Sequence, residues 1–192
     1  MTSVPSPAAL ATRFAAAAVA LGGLAMVVLW VPFTLAHGPT SYNEERVVAG
    51  MDMLGWGLLL GVVPNVLVAT GLVLARGRLA RSGGTAWALG WVIAALVLSA
   101  LADLAFRALG PPFSLFVLAP ATIALVVLAA PGGVRVAWAV LAAAYVVALA
   151  LALVPHEAAD GFDGYRVYGL VAHVTVGLGW VVAASRIGNF TP

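Results

Sequence analysis

Apolar runs of about twenty residues, separated by short polar connectors, set the pattern of this chain. They fall at 14–36, 52–75, 86–109, 112–130, 136–154 and 167–187. A helix rises about 1.5 Å per residue, so each run is close to the roughly 30 Å of a bilayer's hydrocarbon core. Helices are expected rather than strands. A segment in lipid must satisfy its own backbone, and a barrel would alternate polar with apolar positions. The connectors carry helix breakers: RGRLARSGG from Arg76, GPP from Gly110 and PGG from Pro131. The pattern predicts an all-α polytopic membrane protein. Residues 1–192 would form a single domain, a compact bundle of six transmembrane helices.

Charge then orients the bundle. With six spans the termini share a side, and that side holds Arg13, Arg76, Arg78, Arg81, Arg135 and Arg186 with no acid. The other holds Arg46, Arg107 and Arg166 with Glu44, Glu45, Asp52, Asp103, Glu157, Asp160 and Asp163. The positive-inside bias makes the first side cytoplasmic. The expected location is a bacterial cytoplasmic (plasma) membrane, multi-pass, with both termini inside. The first run ends FTLAHG, where Ala36 could precede a signal-peptide cleavage site, but it is longer than a signal h-region and reads as a retained span. Trp30 and Trp56 should fall at the outer interface, and Trp87, Trp91, Trp138 and Trp180 at the inner one. Such aromatic belts need no functional reading.

Composition narrows the chemistry. The chain is 64% hydrophobic and 8% charged, and it lacks cysteine, which excludes disulfides and thiolate metal or cluster sites. All nine basic residues are arginine. Because they are topogenic, the positive balance does not imply a nucleic-acid partner. The bilayer is the expected partner, with a second membrane protein or another copy of the chain as a further one.

Between helices in lipid, small residues mark the packing faces. In the second run Gly57, Gly61, Asn65 and Ala69 recur every four positions, and Pro64 should kink the helix and free the carbonyl of Leu60. The sixth run repeats the device with Gly169, His173 and Gly177, and the third aligns Ala95, Ser99, Asp103 and Arg107. Asp103 and His173 each lie six residues from the outer end of their runs, about 9 Å deep. Tyr145 and Thr122 are deeper, at about 14–15 Å. The expectation is a polar intramembrane cluster of Asp103, Arg107 and His173 in the outer half, with Tyr145 and Asn65 beside it. The plainer alternative is that Asp103 and Arg107 neutralise each other at i, i+4, while His173 bonds a backbone carbonyl.

The outer connectors HGPTSYNEERVVAGMD and HEAADGFDGYR raise a second candidate, a divalent-metal site from His37, Glu44, Glu45, His156 and Asp160. Their spacing matches no metal motif. No P-loop, GxSxG or Schiff-base lysine is present, and no cofactor is implied. The first expectation for function is a non-enzymatic accessory or sensory membrane subunit. The alternatives are a small transporter or channel with a polar path at Asp103, His173 and Asn65, and an outer-leaflet, metal-dependent membrane enzyme.

Overall fold

The computed structural model describes residues 6–36, 47–106, 114–153 and 167–189. Six helices account for nearly all of them. Helix α1 (Pro7–Ala36) starts earlier than the apolar run suggests. Pro7 occupies the first helical position and the Ser6 hydroxyl accepts from the backbone of Ala9, so the PAALA stretch has both a start signal and helix-forming residues.

A two-residue hairpin follows, β1 (Val47–Val48) against β2 (Met51–Asp52). Its tight turn needs two left-handed residues, supplied by Ala49 (φ 50°) and Gly50 (φ 80°). The Asp52 carboxylate then accepts from the Gly55 amide at 2.7 Å and caps α2 (Met53–Leu79).

Within α2, Leu58–Val62 form a π-helical turn directly ahead of Pro64. Proline has no N–H for the Leu60 carbonyl and its ring would strike that carbonyl; the wider turn moves the group aside. The extra residue also shifts the helix face. Gly57 is buried, but a methyl on it would meet nothing within 4 Å, so it makes no close helix contact of the kind Gly61 makes.

Helix α3 (Gly83–Phe106) begins with a reciprocal cap: the Thr85 amide donates to the Ser82 hydroxyl at 3.2 Å, and the Ser82 amide donates to the Thr85 hydroxyl at 2.9 Å. Then come α4 (Leu115–Leu128), α5 (Gly133–Ala152) and α6 (Tyr168–Gly188), the last opening with a second π turn at Tyr168–Ala172. Five of these helices are long and apolar enough to cross a membrane. Helix α4 is apolar but has 14 residues, about 21 Å, less than the span expected at 112–130.

Each helix packs on its neighbours in chain order, and α6 closes the ring against α1. Glycine allows the closest approach. A Cβ on Gly23 would lie 2.5 Å from the Gly177 carbonyl and one on Gly177 equally close to that of Gly23. Likewise, a Cβ on Gly71 of α2 would lie 2.6 Å from the Ala15 carbonyl. Leu72, Leu89, Leu96, Leu141 and Trp180 fill the interior, while Phe14, Leu98 and Val127 are among the large apolar side chains on the outside. An apolar exterior around an apolar interior suits a lipid solvent.

Four of the six tryptophans face the protein interior. Trp87 and Trp91 are exposed, but Trp30, Trp56, Trp138 and Trp180 are buried in the bundle. Each of the buried Trp30, Trp56 and Trp180 donates its indole N–H inside the protein, to Leu60, Val48 and Tyr145 respectively. A buried indole with a partner for its N–H is as well placed as one at the headgroups.

Candidate functional site

Helices α1 and α6 run antiparallel with matched rungs. Gly23 meets Gly177 near the middle; Trp30, two turns on along α1, meets His173, one turn back along α6; and Thr34 meets Gly169 a turn beyond that. The glycine contact brings the backbones close enough for the two rings of the next rung to stack, with centroids 3.5 Å apart and planes 13° from parallel. On the third rung a Cβ at Gly169 would lie 2.8 Å from the Thr34 hydroxyl oxygen, which is buried without a hydrogen-bond partner among the described residues.

Trp30 ties both π turns together. Its indole N–H donates to the carbonyl of Leu60, the group that Pro64 leaves without a helical donor, at 3.3 Å. Its ring rests on His173, whose Nδ1 lies 2.9 Å from the carbonyl of Gly169 in the other π turn. A carbonyl only accepts, so Nδ1 carries the proton, and Nε2 of the neutral ring is an acceptor. Tyr168 closes on the same imidazole edge-on, 5.5 Å between centroids.

Beside this stack lies a cavity of about 70 Å³, with walls from all six helices. Met26 and Trp30 come from α1, Gly61 and Asn65 from α2, Tyr145 from α5 and His173 from α6; α3 adds Ser99 and Asp103, and α4 adds Leu115. The volume holds several waters or a very small ligand. Asp103 is 1% exposed and its carboxylate occupies the hollow left by Gly61. Tyr145 accepts from the Trp180 indole at 2.9 Å, which leaves its own O–H able to donate.

Tyr145→Phe removes the only acceptor shown for the Trp180 N–H, and an orphaned buried donor costs about 1–3 kcal/mol. The variant is expected to unfold several degrees below the parent in a detergent thermal scan, whereas Phe116→Leu, at an exposed apolar position of α4, sets the baseline.

Below the cavity the bundle is apolar. Val68, Leu72, Val92, Leu96, Leu141 and Trp180 are all buried between it and the arginine end. Thr122, a candidate for extending a polar path, spends its hydroxyl on the carbonyls of Leu118 and Ala119 in its own helix. The cavity is thus closed at its inner end.

Of the residues singled out in the sequence, Asp103, His173, Tyr145 and Asn65 line this one cavity. Arg107 lies outside the described residues, as do His37, Glu44, Glu45, His156 and Asp160. Among the described residues no three His, Asp or Glu side chains gather into a metal-binding group. Sequence reasoning missed Trp30, Tyr168 and Ser114 as lining residues. A signal for Trp30 was present: it lies seven residues, two helical turns, after Gly23, so it shares the small-residue face of its helix.

Chemically, the site offers an acid, an amide, hydroxyls and aromatic walls around a small cavity. A carbonyl of its own helix orients the histidine, not the carboxylate that a hydrolytic triad would use. Comparison with protein-family models, curated proteins and solved structures finds no match to this chain.

Proposed function

We propose that the protein is a non-enzymatic membrane subunit, accessory or sensory in kind, that holds a small polar ligand in the six-helix cavity. The observation that carries this reading is the cavity's construction. Every helix contributes to a largely apolar pocket that carries a few polar groups, and buried apolar side chains occupy the bundle toward the arginine end. A transporter or channel at Asp103, His173 and Asn65 would need the polar lining to continue toward the arginine end, and the buried Leu72, Leu96 and Leu141 stand in that position. Sensing fits because Trp30 and His173 link the cavity wall to the backbone of two different helices at their widened turns.

The bundle would lie in a bacterial cytoplasmic membrane with both termini inside. In support, Arg13, Arg76, Arg78, Arg81, Arg135 and Arg186 sit at one end of the alternating helices and the described acids, Asp52 and Asp103, toward the other. The loops at the acid end would face a membrane-protein partner or another copy.

The test is a thermal-shift screen of small amines, amides and organic acids against the purified protein in detergent. At least one compound should raise the midpoint of the parent but not of Ser99→Leu, which fills the cavity from α3. Equal shifts in both proteins, or none with any compound, would sink the reading. Uptake of a screened compound by proteoliposomes, lost in Asp103→Asn, would favour transport instead.

A further inference from the structure

A second cavity, about 330 Å³, opens at the arginine end where the short helix α4 stops. Its floor is apolar, formed by Leu125 and Leu128 of α4 and Trp138 of α5. Its rim is basic. Arg78 and Arg81 line it, and the stem of Arg186 lies against its Gly133 wall, where an added Cβ would sit 3.3 Å from the arginine Cδ. No acidic residue is among its described lining. Arg78 is held in place by donating from Nη2 to the Ala8 carbonyl at 3.1 Å, which uses one arm of the guanidinium fork.

Positive-inside topology asks only that arginines be on one side; it does not require them to surround a cleft with an apolar floor. We propose that this cleft binds the phosphate headgroup of an anionic phospholipid. Guanidinium groups bind the phosphate oxygens of either headgroup, and a basic rim with no acid among its described lining repels a choline cation, which gives the cleft its preference for an anionic lipid. The floor separates a lipid from a free ion. Inorganic phosphate leaves the exposed Leu128 side chain facing water above the buried Leu125 and Trp138, whereas a phospholipid lays its glycerol and upper acyl chain over it.

Native mass spectrometry of the full chain in a neutral maltoside detergent tests the site, with phosphatidylglycerol and phosphatidylcholine as probes. Phosphatidylglycerol should be retained and phosphatidylcholine lost. Arg81→Gln and Arg186→Gln, measured separately, should each weaken retention about fivefold, the effect of one arginine near an anionic lipid. Arg81→Lys should keep most of it. Arg13→Gln removes a charge from the same end without touching the cleft, and it should change nothing. Equal retention of the two lipids overturns the proposal, as does an Arg13→Gln loss as large as that of Arg81→Gln. Displacement of the lipid by millimolar inorganic phosphate also overturns it, in favour of a free-phosphate site.

Discussion

Gly61→Ala is expected to destabilise the protein even though alanine is the better helix former. In an unobstructed helix the change gains about 0.8–1 kcal/mol. At Gly61 the new methyl would overlap the Asp103 carboxylate and lie 2.9 Å from the Asp103 Cβ. Rotating the aspartate about its first side-chain bond moves the carboxylate but not the Cβ, so α2 and α3 must separate. Overpacking of this kind costs about 1–3 kcal/mol. The net effect is a loss, read as a lower thermal midpoint in detergent. Two comparisons isolate the cause. Gly57→Ala, one turn earlier with nothing within 4 Å, should be neutral or stabilising. Asp103→Ala should rescue Gly61→Ala in part, since it removes the overlapping carboxylate and leaves only the Cβ contact at 2.9 Å, with a coupling of at least about 0.5 kcal/mol in the double-mutant cycle. Strict additivity would mean that the carboxylate is not seated on Gly61.

The residues that line the cavity were legible to different degrees, for physical reasons. Asp103, His173, Tyr145 and Asn65 stand out because lipid tolerates few polar groups on outward faces, so each one points to a protein-facing position by itself. Glycines flanking His173 added its direction, and the contact with Trp30 of α1 is on that face. The alternating arginine and acid ends were readable because charge is rare in this chain. What was not readable depends on departures from regular geometry. A fixed four-residue count placed Gly57 with Gly61; both are buried, but the π turn at Leu58–Val62 lies between them and only Gly61 is in close helix contact. The hairpin at Val47–Asp52 has two residues per strand, too few for an alternation to register. Tryptophan is equally at home at a headgroup or in a core with a partner for its N–H. Which one applies depends on neighbours distant in sequence, such as Leu60 for Trp30.

Trp30→Ala should have the largest effect of any substitution at the cavity. The side chain is 3% exposed and joins elements far apart in sequence, the Leu60 carbonyl in one π turn and His173 beside the other, with Phe33 of its own helix edge-on at 5.8 Å. In a water-soluble core a tryptophan truncation costs about 3–5 kcal/mol, part of it transfer from water. In a membrane the separated helices remain in lipid, which removes most of the transfer contribution and leaves packing and hydrogen bonding. About 2–3 kcal/mol should remain, from a void continuous with the existing cavity, the lost ring stack and the orphaned carbonyl. Trp30→Phe separates these parts. It keeps an aromatic face for His173 but cannot donate to Leu60, so it should lose about 1–2 kcal/mol. Trp87→Ala, at an exposed tryptophan of α3, should fall within about 0.5 kcal/mol of the parent. The expected order of thermal midpoints is Trp87→Ala, then Trp30→Phe, then Trp30→Ala lowest. Any compound that stabilises the parent should lose its effect in Trp30→Ala, because the wall it binds against is gone. Were Trp30→Ala as stable as Trp87→Ala, Trp30 would not be the bridge between the two π turns, and the cavity would need another source of order.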